Sequence, residues 1–139
     1  MVEKTQSKFA AGSVSIVVRH ELWDGNVQDH ADQGVAITVV GDVGGTETTL
    51  LRFNCFDIEK SYVYGPEGRN KTYRMDPTVD GNPISWTINH LKTNLTVLLN
   101  EAGYGELAAS ADQNAIAKQA TEIESTARQL FTNDRNTVK

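Results

Sequence analysis

The clearest periodic pattern in the chain lies between Asn82 and Tyr104. Its apolar residues are spaced three or four apart, so a helix places all of them along one side. Asn82 suits the N-cap position, Pro83 suits the first helical position, and Gly103 suits the left-handed residue that ends a helix. The pattern predicts a helix over residues 83–102, and its core side carries Ile84, Ile88, Leu91, Leu95, Leu98 and Ala102.

The first half of the chain contains segments in which apolar and polar residues alternate, which is the period of a strand. The predicted strands are residues 14–23, 35–40, 46–58, 61–64 and 70–75. The second of these is apolar on both faces, which is typical of a central strand. In the third, alternation puts Leu51, Phe53 and Cys55 on one face and Leu50, Arg52, Asn54 and Phe56 on the other. The pattern predicts an antiparallel sheet of four or five strands within residues 13–76.

Polar and glycine-rich segments between these strands predict connections. Residues 24–33 are rich in Asp and Asn and predict a loop or a wide hairpin connection. Residues 41–45, GDVGG, predict the next turn. Their glycines also occur in phosphate-binding loops, but such a loop leads into a helix, whereas this one leads into a strand.

The last third of the chain predicts further helices. Residues 106–109 predict a short one, and residues 111–131 predict a longer one with Ser110 as N-cap and Gln113 completing a capping box. Strands followed by helices indicate an α+β fold, with the two longer helices packed on one face of the sheet. The expected organisation is a flexible leader at 1–12, a single domain at 13–133 and a tail at 134–139.

Composition and charge narrow the class of function. The 139 residues fit one domain, and a content of 39% hydrophobic and 22% charged residues is typical of a globular protein. A net charge of −5 without a basic cluster argues against a nucleic-acid partner. The sequence shows neither the apolar segment of a signal peptide nor a window of membrane-spanning length, so no membrane partner is expected and the cytoplasm is the expected location. The one cysteine, Cys55, excludes an internal disulfide.

A second row of residues on the central helix is the first candidate site. Trp86, His90, Thr93 and Val97 are spaced by four, three and four, about opposite the aliphatic side. A helix needs only one buried side to pack on a sheet, so this row is expected to meet something else. Three partners fit: another part of the same chain, a second subunit, or a ligand beside which His90 is a polar group.

The hairpin predicted within residues 61–75 carries the second candidate site. If its turn closes simply, the residues that share one face are Tyr62, Tyr64, Arg69, Lys71 and Tyr73. Arg52 and Arg74 extend this patch if the strand order permits. Aromatic rings stack on planar molecules and cationic side chains pair with anions, so the patch suits a small anionic or planar ligand. The alternative is an ordinary solvent-facing strand, which carries the same residue types.

Two further parts of the sequence contain residue types that occur in metal sites or in nucleophilic catalysis. The acidic segment has the residue types of a metal site, namely His20, Glu21, Asp24, Asn26, Asp29, His30 and Asp32. Its spacing matches neither a calcium loop nor a pair of histidines on a helix, so no metal and no cofactor are expected. Cys55 lies on an apolar face, where a thiol stays protonated, and a nucleophilic role requires His20 or His90 nearby.

The segment from Leu51 to Tyr104 resembles a known family in its landmarks RFNCFD, YGPEG, MDPTVDGNP, ISWT and LNEAGY. These are similar to an uncharacterised bacterial family of small α+β proteins of unknown function, of the kind carried on integron mobile gene cassettes. The resemblance implies no activity and no catalytic residues. Some relatives have His beside Tyr before the YGP turn, whereas this chain has Ser61 and Tyr62 there, which weakens a metal or acid–base role at that position.

Two classes of function follow from these observations. The favoured one is a non-catalytic module that binds a small molecule or a protein and forms a homodimer, using either the Trp86 row or the tyrosine patch. The alternative is a small hydrolase or lyase in which His90 or His30 acts as a base near a carboxylate.

Overall fold

The computed structural model describes residues 6–27, 30–56, 60–65, 71–74 and 83–137, with side chains described for all of these except 22–33 and 131–137. The described strands form one antiparallel sheet in which each strand pairs with the next along the chain. They are β1 (Gln6–Ala11), β2 (Val14–Val27), β3 (His30–Val43), β4 (Thr46–Phe56), β5 (Lys60–Tyr64) and β6 (Lys71–Arg74). The helices are α1 (Pro83–Ala102), α2 (Gly105–Ser110) and α3 (Gln113–Thr137).

The helices pack on one face of the sheet, and the α+β prediction is confirmed at this level. That face carries Ile16, Ile37 and Phe53, which share a core with residues of α1 and α3 such as Leu91 and Ile123. β3 is buried over residues 35–40, as expected for a central strand. None of the described helices combines the length and apolar content needed to span a bilayer.

The sheet begins earlier than predicted, because β1 lies within the segment that was expected to be a flexible leader. Phe9 and Ala11 are buried in the core and pair with Ile16 and Val14 of β2. A short strand with only two buried side chains gives little periodic signal, so burial against β2 rather than the local pattern reveals it. The prediction of four or five strands is therefore one or two too low.

The segment 24–33, predicted to be a loop, instead contributes backbone to the long strands β2 and β3. The two strands stay paired to Val27 and His30, with a register shift between Trp23 and Val27. Backbone hydrogen bonds between strands do not depend on side-chain polarity, so a polar composition did not reveal this extension. The next turn is likewise shorter than predicted, because β3 continues to Val43 and the turn is formed by Gly44 and Gly45.

A bulge changes the alternation predicted for β4. Val39 pairs with Leu51 and Val40 pairs with Thr49, so Leu50 is the extra residue. Leu50 is fully buried and belongs to the core, whereas strict alternation placed it on the opposite face.

The central helix has the bounds that its sequence predicted. Gly103 has a φ of 98°, and the amides of Gly103 and Tyr104 donate to the carbonyls of Asn100 and Leu99 at 3.1 and 2.9 Å, which is a Schellman ending. Asn82 lies outside the described residues. At Asn94 the backbone leaves helical geometry, with φ −134° and ψ 20°, so α1 consists of two segments joined by a kink.

The last helix starts two residues later and ends later than predicted. Ser110 is the last residue of α2, and Asp112 caps α3 by accepting a hydrogen bond from the amide of Ala115 at 3.1 Å. The predicted Gln113 partner instead reaches the carbonyl of Thr93 at 3.1 Å. α3 extends to Thr137, through most of the predicted tail.

Candidate functional site

The register of β4, β5 and β6 places three tyrosines on the helix-covered face of the sheet. Tyr62 pairs with Phe53 on one side and with Tyr73 on the other, and Tyr64 pairs with Lys71. The prediction that these residues share one face is therefore confirmed for all except Arg69, which lies outside the described residues.

α1 brings Trp86 and His90 onto the same tyrosines. The Trp86 ring centroid lies 5.1 Å from that of Tyr62 and 6.2 Å from that of Phe53, and the Trp86 and His90 rings stack at 4.7 Å with an angle of 15° between their planes. The two candidate sites that were predicted separately thus form one group of touching rings. We call it the aromatic surface, and it consists of Tyr62, Tyr64, Tyr73, Trp86 and His90.

The predicted row on α1 does not stay together. Trp86 and His90 precede the kink at Asn94, whereas Val97 follows it and is 51% exposed. Trp86 also contacts its own sheet instead of pointing away from it. A large indole can reach the sheet from the flank of a helix, so a position about opposite the aliphatic side does not leave it without contacts.

The aromatic surface runs from the core to the outer strand of the sheet. Phe53 beneath it is 1% exposed, Tyr64 is 8% exposed, and Tyr62, Trp86 and His90 are half-buried. Tyr73 is 42% exposed, and it lies on β6, which carries only exposed residues. The rings stack in pairs, with Tyr62 and Tyr73 at 5.3 Å and 23°. An accessible ring at the end of a stack can accept another flat molecule.

Burial keeps the Tyr64 hydroxyl of this surface uncharged. Burial raises the pKa of the Tyr64 hydroxyl to about 12, with smaller contributions from nearby Tyr62, Glu101 and Tyr73. Tyr64 therefore stays protonated at neutral pH. Lys71, opposite Tyr64 on the exposed β6, places a cationic side chain at the rim.

Arg52 and Arg74 do not extend the tyrosine patch. Arg52 pairs with Val63 and Arg74 pairs with Ser61, and these positions alternate with Tyr62 and Tyr64, so both arginines lie on the opposite face of the sheet. The strand order permits the proximity that was predicted, but the register excludes it.

A polar network on that opposite face was missed by sequence reasoning. The Arg52 guanidinium donates to Glu21 and to Asn54 Oδ1, the latter at 2.7 Å, and Arg19 pairs with Glu21 at 2.7 Å. Asn54 Nδ2 donates to Ser61 Oγ at 3.0 Å. The alternation of polar and apolar residues along each strand indicates which side chains share a face. Only the register between the strands shows which of these side chains meet. Each of these side chains has a partner within the network, so we interpret it as structural.

The remaining sequence candidates acquire no chemistry in the described residues. Cys55 is fully buried, its Sγ lies 3.6 Å from Thr87 Oγ1, and burial raises the pKa of its thiol to about 12, so the thiol is protonated at neutral pH. Within the described part of the chain, no cluster of three or more His, Cys, Asp or Glu residues could hold a metal ion. The side chain of His30 lies outside that part.

The fold and the aromatic surface define a class of protein: a small α+β domain with a six-stranded antiparallel sheet, helices on one face, and stacked rings at the sheet edge. A family profile matches residues 8–127, which is most of the sequence. The chain belongs to that family, which is described as a domain of unknown function, DUF7700. No curated protein and no solved structure matches the chain. Membership agrees with the resemblance to a family of unknown function, whereas a bacterial origin and an integron link stay predictions.

Proposed function

We propose that this protein is a non-catalytic binding module whose aromatic surface holds a planar small molecule with an anionic group. The observation that carries the proposal is the continuous series of ring contacts from Trp86 through Tyr62 to the exposed Tyr73. A flat ring added to this series gains stacking contacts without displacing a core side chain.

The rim supplies the preference for an anion. Lys71 lies across from Tyr64 on the same face as the stacked rings, so an anionic group on the edge of a bound ring can reach its ammonium group. The Tyr64 hydroxyl, which stays protonated because its pKa is raised to about 12, is a further hydrogen-bond donor at that end.

The first experiment uses 1-naphthoate as a planar anion and 2-naphthalenemethanol as its neutral counterpart, with binding followed by isothermal titration calorimetry. Tyr73→Ala is expected to weaken naphthoate binding by about three- to tenfold, the value of one aromatic pair. Lys71→Met is expected to remove the preference for naphthoate over the alcohol. Lys118→Met, an equal loss of charge on an exposed position of α3, is the matched control. Absence of naphthoate binding at millimolar concentration, together with no copurified ligand in native mass spectrometry, would refute the proposal.

A homodimer is the second candidate, because Tyr73 on the aromatic surface and Val97 on α1 are large hydrophobic residues that are exposed. Light scattering over a range of concentrations tests it. A dimer that Val97→Asp dissociates supports it, and a monomer at every concentration removes it. The alternative of a hydrolase or lyase stays a prediction.

A further inference from the structure

The first strand of the sheet has an open edge. β1 pairs with β2, and no other described strand lies beside it. Gln119 of α3 reaches this edge, where its Nε2 donates to the carbonyl oxygen of Ala10 at 3.0 Å. Backbone groups of a strand alternate between its two edges, so the amide and carbonyl of Lys8, and those of Gln6, face the same side as the Ala10 carbonyl. The amides and carbonyls of Gln6 and Lys8 therefore point away from β2, towards the open edge.

A groove of about 710 Å³ lies between this edge and α3. Phe9 and Leu130 provide an apolar part, and Gln119, Glu122 and Thr126 provide a polar part. A groove between an unpaired strand edge and a helix is an arrangement that can hold an extended peptide as an added strand.

The charges of the groove indicate the kind of peptide. Glu122 is exposed on α3 and forms no ion pair within the described part of the chain. Lys8 does not neutralise it, because Lys8 lies on the opposite face from Phe9 and its Nζ pairs with Glu47 at 2.8 Å. The ammonium group of Lys8 is therefore paired with Glu47 and not with Glu122.

We propose that the β1 edge and the adjoining groove bind an extended cationic peptide segment, which adds a seventh strand to the sheet. One side chain of the peptide packs on Phe9 and Leu130, and a Lys or Arg two residues away on the same face meets Glu122. The net charge of −5 favours the approach of such a peptide. A second copy of this chain fits less well, since its own β1 brings to the groove another Glu122 and no cation.

The test uses the fluorescently labelled peptide acetyl-Thr-Lys-Thr-Val-Thr-Lys-amide and measures fluorescence anisotropy. Lys8→Pro removes the outward amide, and proline is tolerated at such positions of edge strands. It is expected to raise the dissociation constant by about tenfold or more relative to Lys8→Met, which loses the same charge but keeps the amide. Glu122→Gln is expected to weaken binding and reduce its salt dependence, with Glu106→Gln on α2 as the control for charge.

Two N-methylated peptides make the test independent of any folding defect in the proline variant. Each carries methyl groups on one alternate set of amides. One is expected to lose binding, because its methylated edge faces β1, and the other to keep it. Equal binding of both peptides, or an unchanged affinity for Lys8→Pro, would overturn the proposal. Self-association that Lys8→Pro abolishes, without peptide binding, would also overturn it and assign the edge to a second copy.

Discussion

Gly12 is the position at which the sheet meets the link between α2 and α3, and its replacement by alanine tests how tightly they fit. Gly12 forms the turn between β1 and β2 with a φ of 70°. A Cβ at this position lies 2.6 Å from the carbonyl oxygen of Ser110 and 2.8 Å from the amide nitrogen of Asp112. Both are backbone atoms, so no side-chain rotation relieves the overlap.

The expected cost has two parts. An alanine in the left-handed region costs about 1–2 kcal/mol. Moving the link away from the new methyl group also breaks the hydrogen bonds from the Ser13 amide to Ser110 and from the Asp112 amide to Ala11, at 3.2 and 3.0 Å. At about 0.5–1.5 kcal/mol each, the total loss for Gly12→Ala is about 2–5 kcal/mol.

Gly44→Ala is the matched control. Gly44 also has a positive φ, 61°, but nothing lies within 4 Å of a Cβ built there. Its replacement is therefore expected to cost only the backbone term of about 1–2 kcal/mol.

Urea unfolding followed by circular dichroism gives the free energy of unfolding of each variant by linear extrapolation. We expect Gly12→Ala to lose more than Gly44→Ala, with an unchanged dependence on urea. Equal losses in the two variants would show that the link between α2 and α3 yields without cost, and the reasoning would then be wrong.

Three further predictions concern ionisable groups. Burial raises the pKa of the Cys55 thiol to about 12. A soluble disulfide reagent at mildly alkaline pH should therefore leave Cys55 unlabelled in the native protein and label it in urea. Fast labelling of the native protein would contradict this burial. The pKa of Tyr64 is raised from 10.0 to about 12, so the unfolded chain releases this proton first and stability falls as pH rises across that interval. Tyr64→Phe should reduce the fall in urea unfolding, and an identical slope would refute the assignment. The hydrogen bond from Arg128 holds the pKa of Glu124 below its ordinary value of 4.5, so the free energy of unfolding falls as pH drops below that value. Arg128→Met should lessen this fall, measured by thermal unfolding at a series of pH values. An unchanged pH dependence would exclude the pairing.

Local signals predicted the elements whose boundaries depend on neighbouring residues. The bounds of α1 follow from Pro83, the aliphatic spacing and Gly103, all of which act within a few residues of the chain. The shared face of Tyr62, Tyr64 and Tyr73 follows from the pairing of two strands that are consecutive in sequence. Here the sequence was sufficient because each contact lies close along the chain.

Other features depend on residues far apart in the chain. Ser110 was predicted to cap the last helix, but α2 extends to Ser110 and Asp112 is the cap instead. The open edge of β1 is defined by its pairing with β2 and by Gln119, which is far from it in sequence.

The sequence by itself determined the α+β class, the central helix and the aromatic residues that make up the candidate site. Only the tertiary structure decided that Trp86 and the tyrosines form one surface and that Val97 lies apart from it. The physical reason is that hydrophobic periodicity specifies which residues share a side of one element. Which sides meet depends on strand register, on the bulge at Leu50 and on the kink at Asn94, and these arise from packing the whole chain.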